Sequence, residues 1–125
     1  MNEQEVNWDD VRDLARRVSS GEPFTLTAES RAILQRTGPQ VGIPQAEVEK
    51  ALRSEASAAT LLTEVSRRIR DGSNRLSRAL SEATRRQEAN DLDGARQLLR
   101  DVVEDEVVPL YRDIAQIQLE ALDEE

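Results

Sequence analysis

Acidic side chains crowd one short stretch late in the chain. Asp101, Glu104, Asp105 and Glu106 form the densest carboxylate cluster. Hard cations prefer oxygen ligands, and paired carboxylates can act as general acid and base, so this is where a metal or acid–base site would lie. The spacing of an EF-hand is missing, however, and the helical period turns Asp101 and Asp105 outward. We therefore expect a solvated helix face, with no metal and no cofactor.

The residue types that most covalent and metal chemistry needs are missing from the sequence. There is neither cysteine nor histidine, which excludes Cys–His and Ser–His nucleophiles and the Glu-x-x-His ligands of helical di-iron sites. No glycine-rich phosphate loop is present, and no disulfide framework is possible. The composition thus indicates that the protein is not an enzyme.

The charge distribution argues against nucleic acid and membranes as partners. The formal net charge is −8. Residues 57–90 carry seven basic and four acidic groups, a net of +3, and residues 91–125 carry three and eleven, a net of −8. The arginines of the first segment alternate with acids and lack aromatic neighbours for base stacking. No run approaches the ~18 apolar residues of a membrane span, and the acidic N-terminus is unlike a signal peptide. We therefore expect a cytoplasmic protein that does not bind nucleic acid or membranes.

Good helix formers dominate the composition and predict an all-α fold. Only 2% of the residues are aromatic, and the length suits a single domain, residues 1–125. Apolar residues recur at steps of three and four along two segments, which predicts a long antiparallel helical hairpin with arms of about 57–89 and 92–122. Asn90-Asp91 suits the turn, because Asn tolerates a left-handed backbone and Asp caps helices.

Pro109 and Gly72 set the expected register of the hairpin. Pro109 lacks an N–H, so we predict a kink there in the second arm, with Gly72 opposite to leave room for the distorted backbone. The same register brings Glu106 level with Arg75, and we predict that these two side chains pair.

The second arm carries two apolar rows. The first row is predicted to pack on the first arm and consists of Leu92, Leu99, Val103, Val107, Leu110, Ile114, Ile117 and Ala121. The second row consists of Val108, Ala115, Leu119 and Leu122, with Tyr111 at its edge. Either the N-terminal helices or another molecule must cover the second row. Its candidate partner contacts are Val108, Tyr111, Leu119 and Leu122.

Three short helices are expected within residues 7–53, packed as a small bundle on the base of the hairpin. Capping signals place their starts at Asn7, Thr27 and Pro44. The sequence Thr37-Gly38-Pro39 is expected to stop the second helix.

Two further boundaries concern the ends of this N-terminal region. A break at Ser54 to Ser57 is favoured before the first arm, but no Gly or Pro separates residue 44 from residue 72, so one long helix is the alternative. Residues 1–5 are expected to be frayed.

Six segments of the chain occur in a characteristic order: WDDVRDLARRV (8–18), ALRS (51–54), RRIRDGS (67–73), RLSRAL (75–80), DLDGAR (91–96) and VVPLYR (107–112). In this order they resemble the DUSAM domain, a paralogous family found largely in myxobacteria. The resemblance covers nearly the whole chain. Because that family has no known function, the resemblance implies no activity, cofactor or site residue.

These observations predict a non-enzymatic helical module that binds protein, either a second copy of itself or another chain, through the second apolar row. The alternative is an inhibitor or immunity-type protein. In that case the acidic residues 91–125 would cover a basic site on a toxin or nuclease.

Overall fold

The computed structural model describes residues 6–124, which contain α-helices and no strand. The prediction of an all-α fold is therefore confirmed for this part of the chain. The expectation for residues 1–5 lies outside it. The helices are α1 (Asp9–Ser19), α2 (Ala28–Gln40), α3 (Gln45–Ala51), α4 (Glu55–Glu88), α5 (Leu92–Asp105) and α6 (Pro109–Asp123).

The chain divides into two compact units, Met1–Arg67 and Arg68–Glu125. Helix α4 contributes its first turns to the N-terminal unit and its last turns to the C-terminal unit. The predicted packing of residues 7–53 on the base of a hairpin stays a prediction. None of the helices within residues 6–124 combines the length and the apolar character needed to cross a bilayer.

Helix α2 is capped by Thr27, as its sequence predicts, and Ser30 completes a capping box. Thr27 Oγ1 accepts a hydrogen bond from the Ser30 N–H (3.0 Å), and Ser30 Oγ accepts one from the Thr27 N–H (2.8 Å). Two backbone N–H groups that have no acceptor within the helix are hydrogen-bonded in this way.

The end of α2 differs from the prediction, because the helix continues through Pro39 to Gln40. Gly38 is buried against α3, and a Cβ on it would lie 2.5 Å from Val48 Cγ2. This close approach packs α2 on α3, and the packing outweighs the single backbone hydrogen bond that Pro39 removes near the helix end.

A break before α4 is confirmed, but it lies at residues 52–54, slightly earlier than the expected Ser54 to Ser57, since α3 ends at Ala51 and α4 begins at Glu55. Ser54 marks the restart: its Oγ accepts a hydrogen bond from the Ser57 N–H at 3.1 Å. The alternative of one helix from residue 44 to residue 72 is wrong.

The turn between α4 and α5 has the conformation that its residues favour. Asn90 has φ of +68°, in the left-handed region. The Asp91 carboxylate accepts a hydrogen bond from the Gly94 N–H at 2.9 Å and so caps α5.

The second hairpin arm is not one helix, and the predicted arm of 92–122 is wrong in this respect. Helix α5 ends at Asp105, and the backbone at Glu106 (ψ 131°) and Val108 (ψ 113°) is extended. Proline disfavours helical backbone in the residue before it, and its own ring suits the first position of a new helix. The expected kink at Pro109 is therefore a reversal of chain direction.

Helix α6 returns along α5, so the C-terminal unit is a three-helix arrangement in up–down–up order. The Arg96 and Asp123 side chains pair at 2.9 Å (Nε to Oδ1), which joins the start of α5 to the end of α6. The core of this unit consists of Ala83, Ala95, Leu99, Leu119 and Leu122, with Leu80, Leu92 and Leu98 packed against it.

Candidate interaction face

A buried carboxylate holds the turn between α5 and α6. The Glu106 side chain is 1% exposed. Its Oε1 accepts hydrogen bonds from Arg75 Nε (3.2 Å) and Nη2 (3.0 Å), and its Oε2 accepts one from the Val108 N–H (3.0 Å). The predicted pairing of Glu106 with Arg75 is confirmed. Because both oxygens are engaged, Glu106 anchors the turn.

Tyr111 fixes the first turn of α6 against α4. Its hydroxyl donates a hydrogen bond to the Ile69 carbonyl at 3.0 Å. A Cβ on Gly72 would lie 2.6 Å from Tyr111 Cδ2 and 3.0 Å from Glu106 Oε2. Gly72 thus makes room for the Tyr111 ring and the Glu106 carboxylate, whereas the predicted register placed Pro109 opposite it.

The four candidate partner contacts are buried in this fold. The exposed fractions are 0% for Val108, 5% for Tyr111, 9% for Leu119 and 5% for Leu122. Leu119 and Leu122 belong to the core of the C-terminal unit. The interpretation of this row as a docking surface is corrected: α6 folds back on α5, and the chain itself covers the row.

The same reversal exposes part of the row that was expected to be buried. Ile117 is 61% exposed and Val107 is 45% exposed, although Leu99 of the same row is 1% exposed. In α6 the row that was expected to be buried is exposed, and the other row is buried. The reason is that α6 reverses direction and therefore faces the core with a different side than a straight continuation of α5 would. Periodicity alone does not distinguish the rows, since both recur at helical spacing.

An open groove lies between α4 and α6. Its volume is about 330 Å³. It is lined by Leu80, Ala83, Thr84, Gln87, Leu99, Gln118, Ala121 and Leu122. All of these residues are uncharged, although 34% of the chain is charged.

The groove and the neighbouring exposed side of α6 form one surface. By helical spacing Ile114, Ile117 and Ala121 lie along the same side of α6. We call this surface the α4/α6 face, and its residues are Leu80, Thr84 and Gln87 of α4 and Ile114, Ile117, Gln118 and Ala121 of α6.

The side chains of the acidic cluster at residues 101–106 lie apart from one another. Asp101, Glu104 and Asp105 are exposed, and Asp101 accepts a hydrogen bond from Gln97 (2.8 Å). Within residues 6–124, no group of three or more acidic side chains converges as a metal site requires.

A second cleft lies in the N-terminal unit, and several of its polar side chains are engaged in hydrogen bonds. It is lined by Asn7, Asp9, Asp10, Arg36 and Gln40. Arg36 Nη2 donates to Asp10 Oδ1 at 2.6 Å, which holds the pKa of Asp10 below its ordinary value. Gln40 Oε1 accepts from the Trp8 indole N–H at 2.9 Å. These polar groups satisfy one another, so the α4/α6 face is the stronger candidate.

The fold and this face define a small all-α protein made of two helical units with an open, uncharged inter-helix groove. The chain belongs to the family described as protein of unknown function DUF2379, whose model matches residues 6–122. No curated protein matches the chain. No solved structure matches it either.

Proposed function

We propose that the chain is a non-enzymatic protein-binding module whose contact surface is the α4/α6 face. The observation that supports this is Ile117, a large aliphatic side chain that is 61% exposed beside the groove. Large side chains surrounded by less critical contacts are typical anchors of protein interfaces. The proposal keeps the binding function expected from the sequence and moves its surface to the other row of α6.

The groove suits a helical partner. Two neighbouring helices with small side chains between them leave a channel into which side chains from another helix can pack. Helices of a partner would lie over α4 and α6, with apolar side chains entering the groove, and would extend the bundle. Recognition would then be between helices, with apolar anchors at helical spacing.

The family and the location of the protein are proposed on sequence grounds. The six ordered segments support placing the chain in the DUSAM group, which is compatible with the DUF2379 match. The lack of cysteine supports a reducing, cytoplasmic location.

Photo-crosslinking tests the binding function in cells that naturally express the chain. A photoreactive phenylalanine analogue at Ile117 should give a discrete adduct with one protein, identified by mass spectrometry. The same analogue at Asn74, an exposed residue of α4 that lies off the face, is the matched control and should give none. Equal labelling at both positions, or no adduct at Ile117, would overturn the proposal.

An inhibitor or immunity-type role is the second candidate, and the exposed carboxylates of α5 support it. In that role a basic partner would contact Asp101, Glu104 and Asp105. The photoreactive analogue at Asp101 should then give the adduct, and Ile117 should not.

A further inference from the structure

We infer that the occupant of the α4/α6 face is the same face of a second copy, in a two-fold symmetric dimer with α4 of each copy lying on α6 of the other. This inference rests on the proposed function, because it requires the face to be an interface. It adds the identity of the partner and the way the helices pair.

The uncharged centre of the face favours self-association. Two chains that each carry a net charge of −8 repel one another in general. An isologous interface brings identical patches together, so any charge at its centre would meet its own sign near the symmetry axis. The lining residues of the groove are uncharged, which removes that penalty where the two copies would touch.

The two helices that carry the face have opposite net charges. Residues 68–88 carry six arginines and three acids, a net of +3. Residues 109–124 carry one arginine and four acids, a net of −3. A dimer that sets α4 against α6 of its partner therefore brings segments of opposite net charge together twice.

The orientation of the helices selects one symmetry axis. Helix α6 runs parallel to α4, because Tyr111 at its start bonds to Ile69 and Leu122 at its end shares a core with Ala83. A two-fold axis parallel to these helices places α4 on the partner's α6. A two-fold axis across them places basic α4 on basic α4 and acidic α6 on acidic α6, which like charges oppose.

One pair of rim residues is well placed to report this arrangement. Because Tyr111 lies level with Ile69 and Gly72, Asp113 lies within about a helical turn of the height of Arg70. Both are exposed. In the inferred dimer Arg70 of each copy approaches Asp113 of the other.

Sedimentation equilibrium and light scattering on the full chain test the inference. The wild-type protein should behave as a dimer, with twice the 14.0 kDa mass of one chain. Ile117→Glu should be a monomer with unchanged helix content by circular dichroism, and Asn74→Glu, the same kind of change off the face, should stay dimeric. A monomeric wild type at about 100 μM, or a dimer indifferent to Ile117→Glu, overturns the inference.

Charge reversal tests how the helices pair. Arg70→Glu alone and Asp113→Arg alone should each weaken the dimer by about threefold to tenfold. A chain carrying both changes should recover most of the loss, since the reversed charges meet across the interface. No recovery overturns the placement of α4 on α6. If the photoreactive analogue at Ile117 gave an adduct with a different protein, the proposed function would still hold, but the inference of self-association would be overturned.

Discussion

Gly72 is a helix-interior glycine whose replacement should weaken the protein. In an exposed helix, Gly→Ala stabilises by about 1 kcal/mol. Here the added Cβ would lie 2.6 Å from the Tyr111 ring, and overpacking of this kind costs about 1–3 kcal/mol. Gly72→Ala should therefore lower the free energy of unfolding in a urea titration. Ser73→Ala, next to it, should raise that free energy slightly, and a gain in both variants would contradict the crowding argument.

The Arg75–Glu106 pair should contribute more to the free energy of unfolding than the half-exposed arginine alone would suggest. Arg75→Ala would leave a carboxylate that is 1% exposed with only the Val108 N–H as a partner. We expect a loss of about 2 kcal/mol, below the range for fully buried pairs because the Arg75 side chain is 48% exposed.

A Glu106→Gln background distinguishes the cost of an unpaired buried charge from the cost of lost packing by the Arg75 side chain. In a Glu106→Gln background no buried charge remains to be stranded, so Arg75→Ala should cost clearly less there. Equal losses in both backgrounds would mean that the Arg75 side chain stabilises by packing alone. The measurement is a double-mutant cycle by urea unfolding at pH 7.

At the level of elements, the turn between α4 and α5 should make stability depend on pH. The Gly94 N–H, and then Arg86, hold the pKa of Asp91 below its ordinary 3.8. A carboxyl with a lowered folded pKa stabilises the fold above its unfolded pKa, and that contribution disappears as the pH falls through the folded value.

Asp91→Asn tests this dependence because it keeps a capping side chain without the titratable charge. The wild type should have the higher urea midpoint at pH 7, and the gap should close as the pH falls below 3.8. Asp105→Asn, at an exposed position, controls for the loss of one negative charge. A gap that is constant with pH would contradict the role of the charge.

Local chemistry made some elements predictable and left others open. The Thr27 cap, the left-handed Asn90 and the Asp91 cap each depend on a few neighbouring residues, so they could be predicted. The reversal at residues 106–108 could not, because both apolar rows continue through it and Pro109 is compatible with either a kink or a new helix. The candidate site was predictable only in part. The Arg75–Glu106 pair could be predicted from the sequence. The row of α6 that is exposed could not be predicted, because it depends on the reversal.

At the scale of the whole molecule, each unit carries its own spectroscopic probe. The chain has one tryptophan and one tyrosine: Trp8 is buried in the N-terminal unit and Tyr111 in the C-terminal unit. Helix α4 contributes to both units, so we expect their unfolding to be coupled. Trp8 fluorescence and the NMR signal of a fluorinated Tyr111 should give coincident urea transitions, and separate midpoints would show that the units unfold independently.

Pro109 also opposes the exchange of α6 between copies of the chain. If residues 106–108 became helical, α5 and α6 would fuse into one rod, and α6 would leave its own core to occupy that of another molecule. Such domain exchange is an easy route to entangled dimers when a hinge straightens. The proline opposes it, because helical backbone is disfavoured at Val108. Each molecule therefore keeps its own last helix, and a dimer formed through the α4/α6 face dissociates on dilution without unfolding.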